Sequence, residues 1–460
     1  MIVDFSVTNF RSIKGKMTFS MVAETTKSKR DSNTFEVDLV PGNSLRLIRS
    51  AVMYGGNASG KSNFIRAFEL LRSLIVASGY AAVGEPIFIY RPFLFDTATR
   101  EAPTTIECTF VPGDNLKYEY MVSFDGKSIL AEHLNYYPKQ LKRTLFERIV
   151  DPLQEFDTAK FDKEALKSDD GFSTPQRIFK NQAILAKFGR EIPHRQLTSI
   201  YSYFASWRIW EANNSEYIQR LTASIITTVI PQERPAFFQR LQRLIKAADT
   251  KVNGLYLKPS EESPEGPRTS RWRYLVSQRL FGVHDVFEGD RLASYHQLPF
   301  EEESAGTKVL FALGALVLDA IENGGCVIFD ELDNSLHPII SRFLIQLFNN
   351  NEYNPKNAQI IFSSHEPHLM DKDMFRSDQI WFAEKDVKGA TEIYSAQDFE
   401  GVREDISFEK WYLSGKFGAI PHPSEIAYIF NDVEENTPPE QDNGDRLRGH
   451  GDGAELPPQN

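Results

Sequence analysis

The stretch Gly55-Gly56-Asn57-Ala58-Ser59-Gly60-Lys61-Ser62 fits the pattern G-x-x-x-x-G-K-[ST]. The spacing has a physical reason. Glycines let the backbone turn tightly, so that successive N–H groups point into one anion-sized hollow. Lys61 adds a full positive charge, and the Ser62 hydroxyl is a hard oxygen ligand suited to Mg²⁺. Upstream, Ala51-Val52-Met53-Tyr54 is a short apolar run that reads as a buried strand. Downstream, Phe64 to Val76 places apolar residues at helical spacing. The loop therefore runs from a strand into a helix N-terminus, whose partial positive charge favours a phosphate.

Two further strand ends carry polar chemistry. Cys326-Val327-Ile328-Phe329 is a fully apolar run that ends in Asp330 and Glu331. A carboxylate at the C-terminal end of a parallel strand lies at the ligand edge of an open α/β sheet. Asp330 is expected to hold the Mg²⁺ shell and Glu331 to polarise an attacking water as general base. Gln359-Ile360-Ile361-Phe362 is a second buried strand, ending in Ser363, Ser364 and His365. His365 is expected to donate to a γ-phosphate oxygen or to the attacking water.

The rest of the composition narrows the setting. The chain has 460 residues, long enough for two or three domains. Its net charge is −11, but eight acidic residues against two arginines between 431 and 460 account for −6 of it, leaving −5 for the rest. A mildly acidic body gives no electrostatic footprint for constitutive tight DNA binding. Cys108 and Cys326 both lie in apolar runs and read as buried thiols of a reducing compartment. No leader follows Met1 and no apolar run approaches the ~18 residues of a membrane span, so a cytoplasmic protein with no membrane contact is expected.

Taken in order, the chain divides at 150, 270 and 422. Ile2 to Asn9 alternates as a strand, and Met17 to Val22 returns after the Lys14-Gly15-Lys16 turn. Asp31 to Ser44 reads as a polar loop and Phe88 to Phe95, broken by Pro92, as an irregular edge. Thr104 to Val111, Leu116 to Phe124 and Ser128 to Pro138, separated by strong turn signals, predict an antiparallel meander. With the phosphate loop they make an N-terminal lobe, residues 1–150. From 151 to 270 the period turns helical, with helices expected over Gln176 to Phe188, Gln196 to Trp210 and Ser215 to Ile230. Trp207 and Trp210, three apart, would share a helix face in the core. Residues 271–422 form a C-terminal lobe with the helix Lys308 to Ile321 and the two buried strands, and 423–460 is an acidic, Pro- and Gly-rich tail expected to be disordered.

The three motifs in this order resemble those of ATP-binding-cassette ATPases, specifically the SMC/RecF-like branch that works on nucleic acid. The resemblance implies an α/β fold: an ABC-type ATPase head, a mixed sheet flanked by helices, with an antiparallel β subdomain and a helical insertion. Its cofactors would be ATP and Mg²⁺. Asn9-Phe10-Arg11-Ser12 is similar to that branch's opening motif, in which the arginine, here Arg11, approaches the nucleotide phosphates. Glu303-Ser304-Ala305-Gly306-Thr307 lies where such ATPases carry their signature sequence. Ser304 and Gly306 would then meet the γ-phosphate held by an opposite subunit, which makes ATP a driver of homo-oligomer assembly. Glu301 to Glu303 sit awkwardly beside such a contact, and their carboxylates must point away. His337 stands where transporter ATPases carry Asp, which argues against a transporter motor. The glutamine that joins the Mg²⁺ shell in this family is unassigned, Gln140 being one of several candidates.

The segments YGGNASGKSN, RPFLFD, LNYYP, FDELDNSLHP, FSSHEPHLMD and WYLSGKFGAIP together resemble stand-alone prokaryotic AAA15-type ATPases. Members of that group occur in phage-defence operons: AbiL/RloA-like abortive-infection proteins and Septu PtuA-like ATPases, some encoded beside retrons. Their partners are separate nucleases of HNH or Toprim type, and nucleic acid or retron msDNA is a further partner the resemblance implies. A sensor subunit that controls such a nuclease is thus expected. The alternative is a RecF/SMC-like DNA repair or recombination ATPase, although the ~100-residue insert has no sustained heptads and argues against a true SMC protein.

Overall fold

The alternation at the start of the chain is a strand: β1 (Ile2–Thr8) pairs antiparallel with β2 (Met17–Ser20). The computed structural model describes residues 1–421 apart from 41–42, 139–140, 163–175, 192–194, 211–214, 230–233, 249, 259–278, 335 and 404–405. The expected acidic tail, the linker-like stretch near 259–268 and Gln140 lie outside the described residues.

The polar stretch read as a loop is a hairpin. After the single turn α1 (Arg30–Asn33), β3 (Thr34–Val40) pairs with β4 (Asn43–Ile48). Phe35, Val37 and Leu47 bury one face against Val3 and Val111, while Glu36 and Arg46 pair on the other. This two-sided alternation is the ordinary pattern of a half-buried strand, and the charges on its wet face conceal it. Next, β5 (Ser50–Tyr54), buried at every position, leads through the phosphate loop into α2 (Lys61–Ala77).

The meander is longer than expected. β6 (Thr104–Phe110), β7 (Tyr118–Phe124), β8 (Ile129–Tyr136) and β9 (Arg143–Ile149) are joined by β10 (Phe156–Phe161) and β11 (Gln176–Phe179). Together they form an eight-stranded antiparallel sheet in the order β11-β10-β9-β8-β7-β6-β1-β2. The region from 151 is therefore not helical throughout. Helix over Gln176 to Phe188 is corrected to strand β11 followed by α3 (Ile184–Glu191). The helix starts there because the buried Glu132 carboxylate accepts the free N–H groups of Ile184 and Leu185.

Helix α4 (Arg195–Ala205) is followed by the short β12 (Arg208–Trp210). Trp207 and Trp210 consequently share no helix face. Both are buried, but in different cores, since odd spacing along extended chain sends side chains to opposite sides. Helices α5 (Ser215–Ser224) and α6 (Pro235–Ala247) follow, then β13 (Gly254–Leu257), β14 (Leu280–Glu288) and β15 (Arg291–Pro299) in a three-stranded antiparallel sheet.

After β15 the chain alternates helix and strand: α7 (Ala305–Asn323), β16 (Cys326–Phe329), α8 (Pro338–Phe348), β17 (Gln359–Ser363), β18 (Ile380–Lys385), β19 (Thr391–Ser395) and α9 (Phe408–Leu413). The central sheet runs β12-β16-β17-β5-β18-β19, parallel except for the β18–β19 pair. Helix α2 lies between the two large sheets: Phe64 and Phe68 pack on Phe5, whose ring stacks on that of Phe68 at 3.9 Å. The other face of the central sheet is covered by α7, α8 and α6. The chain thus adopts the expected α/β ATPase head, a mixed sheet flanked by helices with an antiparallel β subdomain. Cys108 and Cys326 are buried free thiols, and burial pushes that of Cys326 up to about 12. No helix among the described residues is long and apolar enough to cross a membrane.

Candidate active site

Parallel strands β5, β16 and β17 are neighbours, so the three polar clusters that follow them fall at one sheet edge. The phosphate loop is shaped by positive backbone angles at Ala58 (φ 61°) and Gly60 (φ 109°). Gly55 allows a close approach: a Cβ there would lie 2.3 Å from the Ala383 carbonyl oxygen. Asn57 and Ala58 form the exposed tip, whereas Gly55, Ser59, Gly60 and Lys61 are buried and Gly56 and Ser62 half-buried.

The Lys61 ammonium donates to the carbonyls of Gly55 (2.7 Å) and Gly56 (3.1 Å). Burial pulls its pKa down to about 8, against the opposing attraction of Asp330, Glu331 and Asp333. Ser62, at the start of α2, donates its hydroxyl to Asp330 Oδ1 at 3.0 Å. Two hard oxygen donors far apart in the sequence therefore meet, an arrangement that could hold Mg²⁺.

Ser363 was not singled out from the sequence as a functional residue, yet it organises this edge. Its hydroxyl donates to Asp330 Oδ1 at 2.7 Å and accepts from the Glu331 backbone N–H at 2.8 Å. Its place in the polar cluster ending the QIIF strand was the available signal. Glu331 sits at φ 53°, a strained angle for a residue with a side chain. Its carboxylate lies 3.6 Å from His365 Nε2, and Asn334 donates to its other oxygen at 2.9 Å. His365 is partly exposed and its backbone N–H is held by Asp333 at 3.2 Å. Burial and the Lys61 charge lower the His365 pKa, so the ring is neutral near pH 7 and has one N–H to donate.

Arg11 lies on the exposed surface at φ 52°, in the turn closed by the Phe10–Ile13 bridge. Its neighbour Ser12 reaches the loop's helix, accepting from Asn63 at 2.8 Å. Ser304 is the exposed N-cap of α7, its hydroxyl accepting from Thr307 N–H at 3.1 Å, with Gly306 in the first turn. The structure groups Lys61, Ser62, Asp330, Glu331 and His365. It does not bring Ser304 to them: among the described residues, the Ser304 hydroxyl bonds within its own helix. Two of the three adjacent acids have partners of their own. Glu303 is buried and pairs with His284 at 2.6 Å, and Glu301 accepts from Gln219. His337 caps α8 through Nδ1.

No curated protein matches the chain. Among solved structures, an SMC head domain from Thermotoga maritima is similar, at 13% identity and TM-score 0.38, over 86% of this chain and 98% of that one. An SMC head bound to the C-terminal winged-helix domain of ScpA is 13% identical at TM-score 0.40, over 90% and 99%. An SMC head with an extended coiled coil, bound to the C-terminal domain of ScpA derived from Pyrococcus furiosus, is 13% identical at TM-score 0.37, over 90% and 98%. The model of the family described as "AAA domain, putative AbiEii toxin, Type IV TA system" matches residues 50–371, from the start of β5 to just beyond His365, and the chain belongs to that family of AAA-type ATPase domains.

Proposed function

We propose that this chain binds and hydrolyses ATP with Mg²⁺ and acts as the regulatory subunit of an anti-phage defence system, its ATP-dependent assembly controlling a separate nuclease. The observation that carries the catalytic part is the 3.0 Å contact between Ser62 and Asp330, beside Lys61, Glu331 and His365. These residues fit a nucleoside triphosphate and its metal: a hollow of backbone N–H groups, one ammonium, one hydroxyl and one carboxylate. Ser62 and Asp330 would hold Mg²⁺, which supplies neutralising charge at the β- and γ-phosphates. Lys61 exchanges its two carbonyl partners for phosphate oxygens. Glu331 takes the proton of the attacking water, with Asn334 and the strained backbone fixing its carboxylate. His365, neutral, donates its N–H toward the developing charge.

The regulatory part is supported by the description of the family, which names a toxin and a type IV toxin–antitoxin system. The placement of Ser304 also supports it. The serine is an exposed cap on the nineteen-residue α7, and the neighbouring Glu303 carboxylate is engaged by His284, so the cap is suited to meet a phosphate held by a second copy. The partner proposed is a nuclease of HNH or Toprim type, with nucleic acid or retron msDNA as the signal. Lys61→Ala is expected to abolish ATP binding and turnover, and normal hydrolysis by that variant would overturn the site. Co-purification of the chain from its native operon, with mass spectrometry of bound partners, is expected to recover a nuclease. Recovery of recombination proteins alone would favour a repair role.

A further inference from the structure

We propose that Thr391 and Ser12 are positioning residues that staple the phosphate loop in its binding shape. The inference rests on the nucleotide reading of that loop. Thr391, at the start of β19, is 1% exposed, and its Oγ1 lies 2.9 Å from the Ser59 carbonyl oxygen and 2.8 Å from Ser12 Oγ. Ser12 Oγ is in turn 2.8 Å from the Asn63 side-chain amide nitrogen. The ends of this chain fix its direction. The Asn63 amide nitrogen only donates, the Ser59 carbonyl only accepts, and each hydroxyl has one hydrogen. Asn63 therefore donates to Ser12, Ser12 to Thr391, and Thr391 to Ser59. The relay spans the loop from Ser59 to Asn63, across the residues that carry Lys61 and Ser62. The Thr391 backbone N–H also donates to the Ser12 carbonyl at 2.7 Å, tying β19 to the turn that carries Arg11.

The loop is shaped to receive this hydroxyl. A Cβ on residue 60 would lie 2.0 Å from Thr391 Oγ1, so Gly60 provides both the φ of 109° and the room. Ser59 is buried and its carbonyl accepts from Thr391, the one donor the relay supplies to it, so loss of that hydroxyl leaves a buried acceptor without this bond. Without that bond the loop's N–H groups lose their common direction.

The test uses the full chain with Mg²⁺ and a fluorescent ATP analogue. Thr391→Val keeps the shape and removes the hydroxyl, and is expected to weaken binding about tenfold. Thr391→Ser keeps the hydroxyl and is expected to restore most of the affinity. Ser12→Ala breaks the relay from its other end, and the double variant Ser12→Ala/Thr391→Val is expected to be no weaker than Thr391→Val alone. Thermal unfolding of each variant identifies any that fails to fold; if Thr391→Val does, Ser12→Ala and Thr391→Ser decide. Wild-type affinity in Thr391→Val, equal loss in Thr391→Ser, or additive losses in the double variant would overturn the staple. If wild type and Lys61→Ala bind the analogue equally, the nucleotide reading itself fails and the staple falls with it.

Discussion

Lys61 carries a titration that reports on the loop. Burial brings its folded pKa to about 8 from an ordinary 10.5, so between those values the unfolded chain binds more protons than the folded one. The nucleotide-free protein therefore gains stability as pH rises from 8 toward 10.5, and below pH 8 the buried ammonium destabilises it fully. Lys61→Met is expected to melt higher than wild type at pH 7, the gap narrowing as pH approaches 10.5. A constant gap across that range in calorimetric scans would contradict the burial of a charged Lys61. Lys61, Ser62, Asp330 and Glu331 were legible in the sequence because each pair follows a compositional marker: a glycine-rich loop before the helix start that carries the first pair, an apolar strand before the second. Ser363 was marked only as one of the polar cluster after the QIIF run, and Thr391 was not marked at all. A hydroxyl becomes part of a site only when the sheet order places it there, and Thr391 does not differ locally from many other residues in the chain.

Among the elements, α3 shows how the antiparallel subdomain is fastened. Arg148 on β9 is fully buried and pairs with Asp157 on β10 at 2.8 Å and with Glu132 on β8 at 3.2 Å. It also donates to the Gln182 carbonyl just ahead of α3, while Glu132 accepts the first N–H groups of that helix and the Tyr120 hydroxyl. Removing one member leaves the other charges buried without a partner, which costs about 3–5 kcal/mol. Arg148→Ala is expected to lower unfolding stability by about that amount in urea titration. A loss within the ~0.5 kcal/mol typical of surface substitutions would show that the cluster is not under this constraint. The central strands β5, β16 and β17 were readable because burial on both faces leaves continuous apolar runs. The hairpin β3–β4 was hidden by Glu36, Asp38 and Arg46 on its wet face, and β11 by a four-residue length that gives period two no room to repeat.

For the whole molecule, the question is how many copies complete one site. Lys61, Ser62, Asp330, Glu331 and His365 converge within the chain, whereas the Ser304 hydroxyl is occupied by its own helix. If a second copy brings its Ser304 to the γ-phosphate, blocking hydrolysis should preserve the pair. Glu331→Gln is expected to bind ATP and to sediment as a dimer in Mg–ATP, and a monomer under saturating nucleotide would contradict the shared site. Ser304→Asp in that background separates assembly from folding. Aspartate caps a helix as well as serine does and carries a negative charge that suits a helix N-terminus, so α7 keeps its start and the melting temperature should hold. The same charge would face a phosphate across the interface, where close like charges are unfavourable. The double variant is therefore expected to bind ATP as a monomer, with the affinity of Glu331→Gln alone for the part of the site each chain carries. Unchanged dimerisation would mean that Ser304 does not meet the partner's phosphate, and the assembly would have to be built on another surface.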